Sequence, residues 1–341
     1  MTTFADVSSG RDNNFNLIRM AAAIGVLVSH SYPISLGPQA QQPLQKWLDG
    51  TTLGSVSVLV FFAISGFFIT KSFDRSVDWR RFVRARAYRL FPALITVTVV
   101  TILIAGTLLS TAEPSAFWSA APAYFFRNIT MAIPLYVLPG VFTGNPYGPA
   151  INGSLWTLAY EAACYFGVFL FGMAGLLRRV PAIVFFLMLF MALSVADQMM
   201  VFPGRVSNAI NLGMPFATGG AIYLWRNHIP FTPVVAAALA AGAFLTHGTA
   251  LFELLFAMAL SYTTLWLGFS RWQPALLYNR LGDYSYGTYI FAFPIQQILA
   301  GSGVASPLVN MSVAIPATCL CAALSWHFVE RPALTRVHHI S

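Results

Sequence analysis

The sequence predicts an all-α polytopic membrane protein: a single bundle of about ten transmembrane helices with both termini in the cytoplasm. The chain has 341 residues, of which 57% are hydrophobic and only 9% are charged, whereas about a quarter of the residues in a soluble domain are charged. Apolar runs of 18 or more residues recur along it, and a helix of that length can cross a bilayer core. The basic residues are distributed unevenly between alternate loops, as in proteins that follow the positive-inside rule.

Ten segments fit a spanning helix. They are 15–34, 53–71, 90–109, 154–176, 181–200, 207–225, 231–248, 250–269, 284–300 and 307–328. Arg127, Asn128 and three prolines are expected to break the apolar stretch 117–140, so we expect an interfacial or re-entrant element there, outside the membrane core and within the predicted outer loop 110–153. No polar stretch is long enough for a separate soluble domain, and one integral-membrane domain, 1–341, is expected.

The basic side chains decide the predicted orientation. With the N-terminus in the cytoplasm, sixteen Lys and Arg residues fall on the inner side and three fall on the outer side. The three outer residues are Lys46, Arg127 and Arg205. Seven inner ones lie in or beside the predicted basic cytoplasmic loop 72–89. The net charge of +8 is therefore ascribed to membrane orientation, and nucleic acid is not an expected partner of so apolar a chain.

The first predicted helix carries Arg19 near one end and His30 near the other. Eleven positions separate them, which corresponds to about 16 Å of helical rise and nearly three turns, so both side chains project from one face. Such groups cost free energy inside a membrane unless they face a protein cavity. One interpretation is that Arg19 and His30 line a reaction path. The other is that Arg19 snorkels to one membrane boundary and His30 lies at the opposite interface.

Arg84, Arg86 and Arg89 stand just before Pro92, at the predicted cytoplasmic mouth of the third span. Guanidinium groups favour bidentate binding of phosphate. One interpretation is therefore a site for a phosphate-bearing donor such as acyl-CoA. Positive-inside anchoring, or attraction to anionic lipid headgroups, is the other.

Glu161 lies about 10 Å in from the predicted outer end of the fourth span, at a depth comparable with that of His30. A His30–Glu161 pair would make a general-base unit, in which the carboxylate orients the imidazole. A Glu satisfied by an Arg or amide partner is the structural alternative. Trp156 and Tyr160 flank it and would suit a sugar ring, although interfacial aromatic residues are common without such a role.

Three further polar positions have less specific interpretations. Ser65, followed by Gly66, predicts a close helix–helix contact or a hydroxyl that lines a cavity. Glu253 is either a second cavity carboxylate or a proton-relay group, and its role stays open. Asp283 is expected to stabilise a helix N-terminus. The three cysteines lie in apolar runs without zinc-ligand spacing, so no metal is expected.

Six stretches, in this order, resemble the acyltransferase-3 family of integral-membrane acyltransferases. They are NNFNLIRMAAAIGVLVSH, VLVFFAISGFFIT, FVRARAYRLFPAL, NGSLWTLAYEAACYF, LGDYSYGTYIFAFPIQQ and WHFVERPAL. The resemblance implies a bundle of ten helices in a bacterial inner membrane. It also implies a cytoplasmic acyl-CoA donor, most simply acetyl-CoA, and a surface or exported saccharide as acceptor on the outer side.

The family pattern marks four basic positions as needed for activity, here Arg19, His30, Arg84 and Arg86. Glu161 matches the first Glu of the family's SLWSLxxE stretch. Many members have a His in the ninth helix where this chain has Ala292. That position cannot be catalytic here, which puts a mechanism with two histidines in doubt.

Two classes of function follow. In an enzyme, the arginines before Pro92 hold the CoA phosphates, the pantetheine arm passes Arg19, and His30 takes the proton of an acceptor hydroxyl, either directly or after forming an acyl-enzyme. In a transporter of a lipid-linked saccharide or an anion, His30 and Glu161 would relay protons without group transfer. Release of free CoA thiol distinguishes the two.

Overall fold

The computed structural model describes residues 1–10, 12–75, 78–131, 133–200 and 202–339; Arg11, counted above among the inner charges, lies outside them. The described residues form helices and no β-strand. In chain order the helices are α1 (Phe4–Val7), α2 (Phe15–Leu36), α3 (Leu53–Asp74), α4 (Trp79–Ile104), α5 (Pro114–Thr130), α6 (Trp156–Met173), α7 (Val180–Met199), α8 (Gly204–Leu224), α9 (Pro233–Leu245), α10 (Phe252–Phe269), α11 (Gln273–Tyr278), α12 (Ser285–Gly301), α13 (Pro307–Ser325) and α14 (Arg331–His339). A π-helical turn, Ala105–Leu109, extends α4, and another, Trp326–Glu330, joins α13 to α14.

The predicted all-α polytopic fold is confirmed, and each of the ten predicted spans coincides with a helix. Seven helical stretches among the described residues are long and apolar enough to cross a membrane. They are Phe15–Leu36, Leu53–Asp74, Trp79–Leu109, Gly153–Met173, Val180–Met199, Phe252–Phe269 and Pro307–Arg336. The other three predicted spans are α8, with polar residues near its start, α9, with 13 residues, and α12, with 17. The count of ten crossings and the orientation stay predictions.

The basic segment 72–89 is largely helical, because α4 begins at Trp79 and continues through Pro92. Membrane-protein helices tolerate an internal proline where neighbouring helices and side chains satisfy the freed backbone groups. Arg84, Arg86 and Arg89 therefore project from the first turns of a helix, with the spacing that a helix imposes.

The stretch expected to be broken by its prolines also contains a helix. α5 runs through Pro122 and ends before Met131, which has a φ of 57°. Asn128 joins this helix to the segment after it. Its Nδ2 atom donates hydrogen bonds to the carbonyls of Tyr124 and Leu135, both at 2.9 Å, and its Oδ1 accepts from the Leu135 N–H at 3.2 Å. This polar residue thus stabilises the helix end that it was expected to disrupt.

Contacts divide the chain into two compact units. The first comprises Met1–Ala22, Ser55–Trp79 and Tyr160–Leu281; the second comprises Ala23–Gly54, Arg80–Ala159 and Gly282–Ser341. Each unit has its own buried apolar clusters, and each is described by itself below.

The first unit has an aromatic core and a close backbone contact between α3 and α8. The rings of Phe15 and Phe269 lie edge-on at 4.8 Å, a favourable aromatic geometry. A Cβ atom on Gly66 would lie 2.0 Å from the Phe216 carbonyl oxygen. The absence of a side chain therefore allows the two backbones to approach, which confirms the helix–helix contact expected at Ser65-Gly66.

The second unit contains two buried groups that involve α2. Leu27 packs with Ala292 of α12 and Ala314 of α13. About two turns further along α2, Ile34 packs with Phe293 of α12. The alanine that replaces the family's histidine is thus a buried packing residue, 1% exposed.

Candidate active site

The predicted site residues are distributed over both units. Arg19, Ser65, Tyr160 and Glu161 belong to the first unit, and His30, Arg84, Arg86, Arg89 and Trp156 belong to the second. Arg19 and His30 lie on one helix, α2, as predicted. The His30–Glu161 pair would join residues of different units and stays a prediction.

His30 is the most unusual polar side chain of the second unit. Its ring meets the Phe293 ring edge-on, with centroids 5.4 Å apart and an angle of 79°. Its Nδ1 atom is buried and has no hydrogen-bond partner among the described residues. Buried polar atoms in folded proteins are nearly always satisfied by protein, water or a ligand. A buried imidazole nitrogen without a protein partner has the chemistry needed to exchange a proton with a substrate.

The Arg84-x-Arg86 pair is separated by the helix that carries it. Residues two positions apart on a helix point about 200° away from each other. In agreement with this, Arg84 is exposed and Arg86 is half-buried. Arg84 can therefore reach a soluble phosphate group from the surface of α4, whereas Arg86 faces the interior of its unit.

Arg89 is bound by two acidic side chains of its own unit. Its Nη2 atom lies 2.6 Å from Oδ2 of Asp283, and its Nη1 atom lies 3.7 Å from Oε2 of Glu330. Glu330, in the π-helical turn, is 2% exposed and accepts a hydrogen bond of 2.9 Å from Ser325 Oγ. Asp283 Oδ1 also accepts from the N–H of Ser285, the first residue of α12, which confirms its expected role at a helix N-terminus. This guanidinium joins α4, α12 and the end of α13.

Glu161 is satisfied within the first unit. Tyr165, one turn further along α6, donates its hydroxyl to Glu161 Oε1, and Ser65 Oγ of α3 approaches the same oxygen at 3.4 Å. The structural alternative considered for Glu161 was an Arg or amide partner, and the partners observed are hydroxyls. For Ser65 we expected a close helix–helix contact or a hydroxyl that lines a cavity. The bond from its hydroxyl to a carboxylate was not predicted.

The remaining predicted residues have local partners of different kinds. The guanidinium of Arg19 lies 5.8 Å from the centroid of the Phe68 ring, within the range of a cation–π interaction. Tyr160 donates its hydroxyl to the Arg205 carbonyl at 3.3 Å. Trp156, half-buried, is the first residue of α6. Glu253, whose role was left open, accepts a hydrogen bond of 2.6 Å from Gln198 Nε2 at an exposed position.

Two buried glutamines were not predicted to have a role. Gln296 and Gln297 are fully buried in α12. Gln296 Nε2 donates to the Leu27 carbonyl at 2.9 Å and to Ser31 Oγ at 2.7 Å, and so binds α12 to α2. Two adjacent amides in an otherwise apolar helix are costly unless they are paired, and this signal was available in the stretch FAFPIQQ.

Among the described residues, no group of three or more His, Cys, Asp or Glu side chains is arranged as metal ligands.

Comparison with known proteins identifies the family. A family model described as an acyltransferase domain matches residues 12–329. The O-acetyl transferase of Shigella phage Sf6 is 30% identical over 339 residues, covering 96% of this chain and 97% of that protein. Nodulation protein 10 of Rhizobium leguminosarum bv. viciae is 27% identical over 360 residues, covering 96% and 94%. No solved structure matches the chain. With the family model matching nearly its whole length, this chain belongs to the acyltransferase-3 family of integral-membrane acyltransferases.

Proposed function

We propose that this protein is an O-acetyltransferase that moves an acetyl group from cytoplasmic acetyl-CoA to a hydroxyl of a surface or exported saccharide, with His30 as general base. The observation that carries the proposal is the buried Nδ1 atom of His30, which has no hydrogen-bond partner among the described residues and lies on a helix long and apolar enough to cross a membrane. The likeness to an O-acetyl transferase along nearly the full length of both chains supports the choice of reaction.

The chemistry asked of His30 is to carry one proton from the acceptor to the leaving group. The acceptor hydroxyl oxygen attacks the thioester carbonyl carbon, so that a C–O bond forms and the C–S bond breaks. His30 takes the hydroxyl proton and then passes it to the departing CoA thiolate. A route through an acyl group carried on His30 or on a serine is the two-step form of the same transfer.

Arginines of α4 are proposed to bind the donor. CoA carries a pyrophosphate and a separate 3′-phosphate, so guanidinium groups on different sides of a helix can bind different phosphates. The exposed Arg84 is suited to the outermost one, and Arg86 to a phosphate closer to the bundle. The pantetheine arm then leads the thioester toward His30.

The localisation proposed with this function is a bacterial inner membrane, with the Arg-rich end of α4 in the cytoplasm and the saccharide on the outer side. The excess of sixteen basic residues over three supports this orientation. Relatives from a Shigella phage and from Rhizobium agree with a bacterial setting.

The test is His30→Ala in membranes supplied with acetyl-CoA and the cell's own surface glycan. A general base contributes about 10²–10⁴-fold, so we expect CoA thiol release and glycan acetylation to fall at least about 100-fold. His228→Ala, which changes an exposed histidine of the first unit, should stay within about twofold of the wild type. Retention of most activity by His30→Ala would refute the assignment of the base.

The alternative function, transport without chemistry, gives a different result in the same assay. A carrier releases no CoA thiol with or without glycan. Mass spectrometry of the glycan before and after the reaction names the acyl group and the acceptor together.

A further inference from the structure

A cavity of about 400 Å³ lies in the first unit, among α3, α6, α7 and α8. This volume is within the range of small-molecule pockets in proteins, about 300–1,000 Å³. Apart from Thr70, Tyr160 and Cys164, every residue that lines it is a glycine or has an apolar side chain. A polar molecule would lose its hydrogen bonds to water in such a space, whereas a hydrocarbon chain would be well accommodated.

Ring contacts hold the helices around this cavity. A Cβ atom on Gly213 of α8 would lie 2.5 Å from Cε1 of Phe190, so α7 and α8 are in contact at this position. On the other side of α7, the rings of Phe171 and Phe186 join α6 to α7, with centroids 4.1 Å apart. Phe171, Phe186, Phe190 and Gly213 all line the cavity, which is therefore enclosed by packed helices of one unit.

The cavity follows α8 for most of the length of that helix. Ala209 and Leu224 both line it, and their separation along the chain corresponds to about 22 Å of helical rise. One acyl chain of a phospholipid extends through about half of a 30 Å hydrocarbon core, so it fits within this length. The outer face of α7, beside the cavity, is apolar and exposed, with Phe185 62% and Met188 59% exposed, as expected of a helix that faces lipid.

One end of the cavity is basic. Leu177 lines it, and Arg178 and Arg179 follow directly in the short connection between α6 and α7. Both arginines are exposed, and neither guanidinium has a hydrogen bond or an ion pair within the part of the chain that the structure describes. Lys71 and Arg226, near the ends of α3 and α8, donate instead to backbone carbonyls. Arg178 and Arg179 are therefore the cations best placed to bind an anion here.

The far ends of α7 and α8 have a different charge. Asp197 lies in the last turn of α7, and Glu253 accepts a hydrogen bond from the next residue of that helix, Gln198. Arg205, at the start of α8, is the nearby cation. Two carboxylates against one guanidinium disfavour an anion at this end, so the charges orient an anionic amphiphile with its headgroup at the α6–α7 connection.

We propose that this cavity binds one acyl chain of an anionic phospholipid, whose phosphate lies against Arg178 and Arg179. Guanidinium groups form charge-assisted hydrogen bonds with phosphate, and basic residues beside membrane helices attract anionic headgroups. The bound chain fills the space that α6, α7 and α8 leave between them, and a ligand that binds only the folded unit stabilises it. The site is separate from the acetyl transfer proposed above, and it can be tested without any reaction.

The first test concerns the headgroup. The purified protein in a neutral detergent is titrated with phosphatidylglycerol, which is anionic, or with phosphatidylcholine, which is zwitterionic, and binding is followed by the rise in Tm. We expect phosphatidylglycerol to bind about tenfold more tightly, and the double variant Arg178→Gln/Arg179→Gln to lose this preference. Arg205→Gln, at the opposite end of the helices, is the control and should retain it. No preference in the wild type, or a preference that survives in the double variant, would overturn the proposal.

The second test fills the cavity. Gly167 lines it, and no described atom outside its chain neighbours and the backbone of its own helix lies within 4 Å of its Cβ position. Gly167→Leu should fold, because leucine is also the better helix former, and should weaken the binding of both lipids about tenfold or more. Gly204→Leu is the matched control, since its Cβ position is equally open and Gly204 does not line the cavity. Unchanged lipid binding by a folded Gly167→Leu would place the lipid elsewhere.

A third measurement identifies the occupant directly. Phosphatidylglycerol with a photoreactive diazirine in one acyl chain should crosslink to peptides of α6, α7 and α8, and Gly167→Leu should lose this crosslink. Palmitoyl-CoA, another anionic molecule with an acyl chain, should leave the crosslink in place at equal concentration. Its displacement of the lipid would assign the cavity to the chain of an acyl donor and overturn the proposal. Crosslinks confined to helices of the second unit would also overturn it.

Discussion

Among single residues, Arg89 shows how protein partners change a predicted role. Arg89 was predicted to bind CoA phosphates together with Arg84, yet its guanidinium contacts Asp283 and Glu330. A cation held by two carboxylates has little remaining attraction for a phosphate. We therefore infer a structural role for Arg89 and keep the role of donor binding for Arg84.

Removing the Arg89 charge should destabilise the protein rather than weaken donor binding. Arg89→Gln leaves two carboxylates together, one of them buried, and the loss of a partner from a buried ion pair costs about 3–5 kcal/mol. We expect a lower Tm, with the KM for acetyl-CoA nearly unchanged. Arg84→Gln, at an exposed position of the same helix, should give the opposite pattern. A normal Tm with a raised KM in Arg89→Gln would return this residue to the donor site.

The sequence could predict the local role of these residues but not their distant partners. The function of Asp283 at the start of α12 follows from its position next to a helix and was predicted. Its bond to Arg89 joins positions 194 apart in the chain, and no spacing rule connects them. For Glu161, Tyr165 lies four residues away and could have been found from helical spacing, whereas Ser65 could not.

Among the helices, α4 shows most clearly how regular structure changes the meaning of a motif. In a loop, Arg84 and Arg86 could both turn toward one phosphate group. On a helix, the neighbours of Arg84 are residues three and four positions away. Arg80 and Arg81 occupy those positions and are exposed, as Arg84 is.

We therefore predict that Arg81 contributes to donor binding, the role proposed for Arg84. Arg81→Gln should raise the KM for acetyl-CoA several-fold, because an ion pair at an exposed position is worth about 1 kcal/mol or less. The effect should weaken as salt rises, since exposed charges are screened. Arg205→Gln, which changes an exposed arginine of the first unit, serves as the control. Equal KM values for Arg81→Gln and the control at low salt would exclude Arg81 from the donor site.

The contact between α3 and α8 makes a second prediction about helices. Gly66→Ala would place a methyl group 2.0 Å from the Phe216 carbonyl oxygen, so the helices must separate. We expect a loss of about 1–3 kcal/mol or more in unfolding free energy. Gly167→Ala is the matched control, because no described atom outside its chain neighbours and the backbone of its own helix lies within 4 Å of its Cβ position. Equal thermal stability of the two variants would show that α3 and α8 do not touch at Gly66.

For the chain as a whole, apolar length predicted the ten helices that were expected to be spans, whereas the number of membrane crossings stays a prediction. α8, α9 and α12 are helical where spans were predicted, yet they are more polar or shorter than the seven that qualify on length and apolarity. The division into two units was not predicted either. It depends on contacts such as the bond from Asn14 to the Leu267 carbonyl, 253 positions away, which leave no periodic signal in the sequence.

Cysteine labelling of intact cells tests the ten crossings. In a variant without the three native cysteines, the single substitutions Lys46→Cys, Arg205→Cys and Ser302→Cys should each react with a membrane-impermeant maleimide. Cysteines at Arg178, Arg226 and Arg280 should react only after the cells are opened, because the positive-inside distribution places them in the cytoplasm. Labelling of Arg205 and Arg226 on one side would remove α8 from the crossings.

The length of α9 has a consequence for the surrounding lipids. Its 13 residues extend about 20 Å, against about 30 Å for a typical hydrocarbon core. If α9 crosses the membrane as predicted, the bilayer must become thinner beside it, or flanking residues must reach toward the headgroups. This hydrophobic mismatch makes lipid chain length a determinant of the stability of the first unit, with shorter chains giving the better fit.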